Sequence, residues 1–299
     1  MANLKEVRER IKSVMSTQQI TKAMKMVSAA KLRRGQQAIQ KLRPYADKLN
    51  EMLGNILSNL DGDASSAYGV EREPVKVLIV LITSNRGLSG AFNTNINKEV
   101  AALVNGKYAS QREAGNLTIM PIGKKGYDYF RKRYTDIKLD TSNLLLNNTL
   151  EFDAVAEVSS LIMQSFVDGQ YDKIEVAYAK FKNAATQFPT VETFLPVPKV
   201  EMPQGSGTGK KMKAFYIFEP GEEELLEYLI PSILKIQFQK FMLDTNASEH
   251  GARMTAMDKA TENAEEIIKM LKINYNKARQ EAITKELSEI VGGAAALGG

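Results

Sequence analysis

Near the end of the chain, apolar or small residues recur at Met257, Ala260, Ala264, Ile268, Leu271, Tyr275, Ala278 and Ala282. Steps of three and four draw one narrow seam along a helix, predicted to run from Arg253 to Leu297. A narrow seam needs a partner helix, and the other end of the chain offers one. There Leu4, Val7, Ile11 and Val14 begin a similar stripe, Ile20, Met24 and Val27 continue it after a phase shift, and Ala38, Leu42, Tyr45, Leu49, Leu53, Ile56 and Leu60 extend it. Gly35 weakens this helix, and Pro44 begins a fresh turn or kinks the rod without ending the pattern. At about 1.5 Å per residue each rod is expected to be roughly 80 Å long. Two such rods at opposite chain ends predict an antiparallel coiled coil. Past Glu289 the charge disappears, leaving IVGGAAALGG. A helix tip without charge is expected to be buried against something.

Between the rods the period changes. Val75 to Thr83 is a continuous apolar, β-branched run, the pattern of a strand covered on both faces of a parallel sheet. Further strands are predicted at 117–122, 137–139, 173–181, 190–196 and 213–218. Helices are predicted near 93–109, at 124–133 and at 152–168. The alternation describes an α/β fold with a central Rossmann-like open sheet. The last two strands flank the loop 202–211 as a hairpin near the sheet edge. A break at Pro231 is expected to separate a short helix, 222–230, from the long one. The domains read as 1–60, the N-terminal coiled-coil helix; 74–219, the α/β domain; and 221–299, the C-terminal helix that pairs with the first.

The chain has 299 residues, 43% of them hydrophobic, enough for an ordinary core. Its longest apolar run, about Val77 to Ile82, is far short of the roughly 20 residues that cross a bilayer, so direct insertion is not expected. With no Cys, disulfides and cysteine metal sites are excluded. The start is basic and amphipathic, but Glu6 and Glu9 count against a presequence. The net charge of +5 is modest. The basic run Lys22, Lys25, Lys31, Arg33, Arg34, Lys41 and Arg43 reads either as a solvated helix face or as a surface for an acidic partner. Without interleaved aromatics, and with no Trp, it does not point to nucleic acid.

Three stretches imitate active sites. Ser84 to Asn93, SNRGLSGAFN, lies where a strand ends and a helix opens, the position at which α/β folds take phosphate. It has Gly87 and Gly90 but neither a GxGxxG spacing nor a Lys-Ser/Thr pair, so a tight turn is the stronger reading. Gly205 to Lys211, GSGTGKK, has one residue too few for a Walker loop, continues with Lys211, and precedes a predicted strand, so it reads as a hairpin tip. His250 is the only histidine, with no Cys to complete a zinc site. Glu222 to Glu224 and Glu265 to Glu266 read as helix starts or solvated faces. No catalytic residue, cofactor site or metal site is identified.

The residues that carry a resemblance are ITKAMKMVSAAKLRR at Ile20 to Arg34, SNRGLSGAFN at Ser84 to Asn93, ASEHGARMTAMDKATENA from Ala247, and YNKARQEAITKELSEIVGGAAAL ending at Leu297. Together they resemble the gamma subunit of the F-type ATP synthase. The resemblance implies a central rotor shaft. Its terminal helices lie inside a ring of alpha and beta subunits, and its α/β domain lies at the foot, against the epsilon subunit and the membrane ring of c subunits.

It also implies that Arg253, Arg279, Gln280 and Thr284 contact loops of the beta subunits, and that Lys22, Lys25, Lys31, Arg33 and Arg34 face their acidic loops. Ile290, Val291, Ala294, Ala295, Ala296 and Leu297 then form an apolar bearing tip. The family pattern often has Asp, Cys and Gly where this chain has Asn85, Ser89 and Ala91, and the regulatory cysteine pair of the chloroplast form has no counterpart. A helix beginning almost at Met1 favours a bacterial source and the cytoplasmic face of the plasma membrane. The rival readings are a nucleotide-binding α/β enzyme with helical extensions, which would bind ATP alone, and a static coiled-coil tether, which would not need an uncharged tip.

Overall fold

The computed structural model describes residues 4–59, 67–197 and 222–297, with side chains left aside at 50–51, 53–59, 222–227 and 295–297. The predicted strand 213–218, the loop 202–211 and the Gly205 to Lys211 stretch lie outside these residues. The chain forms α1 (Leu4–Asn59), β1 (Val77–Ile82), α2 (Phe92–Asn105), α3 (Ala109–Glu113) and β2 (Leu117–Ile122). It continues through α4 (Lys124–Arg133), β3 (Lys138–Leu139), a 3-10 turn at Leu146–Asn148, α5 (Phe152–Val167), β4 (Lys173–Phe181), β5 (Gln187–Leu195) and α6 (Glu222–Leu297). It divides into two compact units, residues 1–29 with 253–299, and residues 30–252.

The larger unit is built on a five-stranded sheet of order β3-β2-β1-β4-β5. The first four of these strands are parallel, and β5 is antiparallel to β4. Every residue of β1 is buried, because its alternate side chains feed two cores. Leu78, Val80 and Ile82 pack with Val155, Ile162 and Phe166 of α5, Phe238 and Phe241 of α6, and Leu49 of α1. Val77, Ile79 and Leu81 pack with Ile96, Val100 and Val104 of α2 and with Phe130 of α4. Strand β4 outruns β1, whose pairing with it stops at Leu81 and Ala177. Helix α6 covers the free edge: Thr245 Oγ1 accepts the Ala179 N–H at 3.4 Å and Ser248 Oγ donates to the Ala179 carbonyl at 3.0 Å.

The strand expected at 190–196 starts earlier, as β5 at Gln187, and pairs with β4 through a short turn. Pro231 does not end a helix, for α6 passes through it. Leu229, Ile230 and Leu234 are buried on either side of that proline, and their packing outweighs the one missing backbone bond. Gly35 is buried against α6, where a Cβ would stand 3.5 Å from that of Ala247. It marks a close approach of two helices.

Candidate functional site

At the carboxyl end of β1, the turn to α2 is filled by the chain's own side chains. Asn93 Oδ1 accepts from the Ser84 N–H at 3.0 Å, and Asn93 Nδ2 donates to Ser84 Oγ at 2.8 Å and Ser89 Oγ at 3.2 Å. Leu88 and Gly90 hold the turn at φ of 63° and 59°. Beside it, Gly123 sits at φ 116° so close to the Thr83 carbonyl that any Cβ would overlap it. Asn147 donates to the Thr83 carbonyl, and Asn85 Oδ1 accepts the first N–H of α4 at 3.1 Å. The polar groups that would meet a phosphate in this crevice are turned on one another. His250 is a buried residue of α6.

In the smaller unit α1 and α6 run antiparallel. Thr21 and Thr261 share a hydrogen bond of 2.8 Å, and Lys25 Nζ donates to Asp258 Oδ1 at 2.5 Å. On α6 the seam through Met257, Ala264, Ile268, Leu271, Tyr275, Ala278 and Ala282 is buried or half-buried, as its spacing predicts. On α1 the packing differs from the expected phase shift. Ile20 and Val27 are 57% and 56% exposed, while Thr21 and Ser28 are buried. Leu4, Val7, Ile11, Val14, Gln18, Thr21, Lys25 and Ser28 are buried or half-buried and make an unbroken 3-4 seam, with half-buried Met24, expected in the stripe, and Ala29 at its side. Tyr45, placed in the stripe of α1 within the larger unit, is likewise exposed, and Ala46 is half-buried beside it.

Extending the Thr21–Thr261 register brings Leu4 opposite Ala278, and both line one groove with Val7 and Ala282. Past that point no described residue of α1 faces α6, and every described side chain from Ile283 to Ala294 is exposed. At about 100° per residue, Ile283, Leu287, Ile290, Val291 and Ala294 form one stripe. It lies on the side of the helix away from the seam. Gln280 and Thr284 stand on the same outer side, joined where Thr284 Oγ1 donates to the Gln280 carbonyl at 2.9 Å. Arg279 is exposed beside them. Ile290 and Val291 are 67% and 66% exposed, so among the described residues nothing covers them. The sequence reading missed Ile283 and Leu287, although their spacing continues the stripe by three and four.

Of the basic residues, Lys22 in the smaller unit is exposed, as are Lys31, Arg33 and Arg34 in the larger one. Lys25 is held by Asp258. Arg253 is 7% exposed and engaged within the chain, whereas Arg279, Gln280 and Thr284 are exposed. Among the described residues no group of three or more metal-ligating side chains is gathered, and no helix is long and apolar enough to cross a membrane.

The family described as ATP synthase matches residues 3–297. The chain is 52% identical to the ATP synthase gamma chain of Cytophaga hutchinsonii over 297 residues, covering 99% of each. It is 52% identical to that of Flavobacterium psychrophilum over 300 residues, covering 100% of each. Among solved structures it is similar to a chain of the Euglena gracilis mitochondrial ATP synthase OSCP/F1/c-ring assembly in rotational state 3. That match has a TM-score of 0.64 at 23% identity, covering 98% of this chain and 94% of that one. A chain of the rotor of the same enzyme in rotational state 1 gives a TM-score of 0.60 at 22% identity, covering 94% and 98%. At these identities the structural likeness speaks for the fold.

Proposed function

Because this chain belongs to the ATP synthase family as a gamma chain of the F-type enzyme, we propose that it is the rotor shaft of the central stalk, coupling proton flow through a membrane ring to the catalytic head. The observation that carries the reading is the apolar stripe from Ile283 to Ala294, which continues past the end of α1 and faces away from the seam. An apolar surface of this kind needs a sleeve supplied by other chains. A charged surface turning inside such a sleeve would make and break ion pairs at each angle, whereas an uncharged one presents a nearly even landscape. The charges that remain near the tip can pair along the helix itself, as Lys285 and Glu289 do at 3.7 Å.

The proposed shaft has no chemistry of its own. Turned by the membrane ring of c subunits, an asymmetric pair of helices holds three catalytic beta sites in different conformations and cycles each through binding, synthesis and release. ATP hydrolysis in the head drives it backwards. Torque requires stiffness, which the unbroken α1–α6 seam favours. Arg279, Gln280 and Thr284 are placed to hydrogen-bond passing beta loops and set preferred angles. Lys22, Lys31, Arg33 and Arg34 offer exposed charge to acidic loops. Arg253 joins such a contact only if its surroundings open. We assign residues 1–60 and 221–299 to the shaft and 74–219 to a foot that meets the epsilon subunit and the ring. The assembly then lies on the cytoplasmic face of a bacterial plasma membrane.

The test is co-expression with alpha and beta subunits, comparing the full chain with one ending at Glu289. A full chain that assembles with three copies of each and changes their ATPase rate supports the shaft. A truncated chain is expected to assemble more weakly and to transmit less torque. A full chain that stays apart from both subunits while binding ATP alone would overturn the reading.

A further inference from the structure

Within the larger unit, α1, α6 and the end of β4 enclose an open cavity of about 620 Å³ that the shaft reading does not use. Arg43, Lys180, Lys182 and Lys240 line it, together with the carboxylates of Asp47 and Asp244. Leu42, Ala46, Ile233 and Ile236 form apolar wall, and Gln36, Gln40 and Gln237 add amides. Among the described residues none of the four cations is in an ion pair, and Lys182 only stands over the Phe188 ring at 5.7 Å. Asp244 is 6% exposed and lies within the electrostatic reach of Lys240, Lys180 and Arg43. Four exposed cations, carried by α1, α6 and the end of β4, converge on one cavity beside a buried carboxyl group, and leave it with a surplus of positive charge.

We propose that this cavity binds a small anion bearing a polyphosphate chain. Its volume falls within the roughly 300–1,000 Å³ of small-molecule sites, and its cations outnumber its carboxylates. Arg and Lys on separate elements can each take a different phosphate oxygen, while the apolar wall accommodates a nucleoside if one is attached. Asp244 is the gate. Its charged neighbours are Lys240 on its own helix, Lys180 on β4, Arg43 on α1 and Glu192 on β5, the last accepting a hydrogen bond from Tyr178 at 2.7 Å. Burial raises its pKa to about 6, partly offset by Lys240 and Lys180. A bound anion raises it further, so binding takes up a proton and the neutral carboxyl group donates to a phosphate oxygen. Affinity therefore falls as pH rises through 6.

Titration calorimetry on the full chain, with inorganic triphosphate and with ATP at pH 5.5 and 7.5, tests the site. Lys180→Ala with Lys182→Ala is expected to weaken both ligands by roughly tenfold or more. Asp244→Asn, nearly the same shape and always neutral, is expected to tighten binding at pH 7.5 by roughly tenfold and to remove the loss of affinity with rising pH, leaving only the dependence due to the ligand's own terminal phosphate. A gain in affinity cannot be mistaken for misfolding. Equal affinities for the two ligands make the polyphosphate alone the ligand, and a preference for ATP adds the nucleoside; both support the site. No binding of either below about 1 mM, or binding indifferent to Lys180, Lys182 and Asp244, overturns it. ATP binding of the latter kind would redirect attention to the Ser84 to Asn93 turn. The shaft reading stands or falls separately, on assembly with the head.

Discussion

Helix α6 contains two stretches with opposite debts. From Leu229 to His250 it is wrapped by its own chain, burying Leu234, Phe238, Phe241 and Met242 together with polar Gln239, Thr245 and Ser248. From Ile283 to Ala294 it buries nothing, although Ile283, Leu287, Ile290 and Val291 are as apolar as the residues of the first stretch. The two share one continuous backbone, so local propensity does not distinguish them. What differs is the source of burial: internal packing in the first and, on the proposed shaft reading, other molecules in the second. Changes in the first stretch should therefore be felt as stability, and changes in the second as assembly.

The largest effects belong to the wrapped unit. Phe241 is fully buried, its ring 4.5 Å from that of Tyr178, and Phe241→Ala is expected to cost about 3–5 kcal/mol by thermal or denaturant unfolding. Gly123→Ala should be comparably severe, because its Cβ would meet the Thr83 carbonyl and φ is 116°. At the tip, by contrast, the combined change Ile283→Ser, Leu287→Ser and Ile290→Ser is expected to leave the isolated chain within about 0.5 kcal/mol of the parent. It should nevertheless weaken assembly with the catalytic head in a pull-down or gel filtration. A tip variant that lowered the stability of the chain alone would erase the contrast.

Asp244 sharpens the same contrast, since burial inside the wrapped unit acts here on a charge. Its folded pKa of about 6 lies above the ordinary 3.8. The native state then holds the proton more tightly than the unfolded chain, so this group's contribution to stability falls as pH rises from 3.8 to about 6 and stays low above that. Asp244→Asn is expected to stabilise the chain at pH 7.5 by on the order of 1–2 kcal/mol, after allowing for screening by solvent in the open cavity. The gain should close towards pH 4, as melting curves across that range would report. An equal gain at both ends would mean that charge burial is not its cause.

Where burial repeats along the chain it could be read in advance, and where it depends on what packs nearby it could not. VLIVLI in β1 announced a strand covered on both faces, and the seam from Met257 to Ala282 announced a partner helix. The seam of α1 was legible only at its ends. Between Gln18 and Ser28 the period persists, but polar and small residues occupy most of it; half-buried Met24 was legible, while exposed Ile20 and Val27 draw the eye to the wrong face. Apolar content is a guide to packing only where both helices pack apolar groups. Pro231 misled for a related reason, since a lost backbone bond is visible in sequence and the buried neighbours that compensate it are not. Of the outward stripe, Ile290 and Val291 stood out in an uncharged tail. Ile283 and Leu287 were hidden among Glu281, Lys285 and Glu286. The cavity at Asp244 joins α1, β4 and α6, so no single segment carried a sign of it.

The smallest predicted effect lies in the middle of the α1 seam, where Lys25 and Asp258 pair at 2.5 Å with side chains 40% and 43% exposed. Water screens a half-exposed pair and holding both side chains costs entropy, so a double-mutant cycle with Lys25→Met and Asp258→Asn should give a coupling of about 0.2–1 kcal/mol. The shared Thr21–Thr261 hydrogen bond one turn away is better shielded on the Thr21 side. Thr21→Val removes one hydroxyl while keeping the branched shape, and leaves Thr261 with its bond to the Met257 carbonyl at 2.7 Å. The expected loss is about 0.5–1.5 kcal/mol. If Thr21→Val or Lys25→Met instead cost as much as Phe241→Ala, the polar middle of the seam would be holding the helix pair together as strongly as the apolar core holds the sheet. The pairing in this unit would then owe more to polar specificity than to buried area.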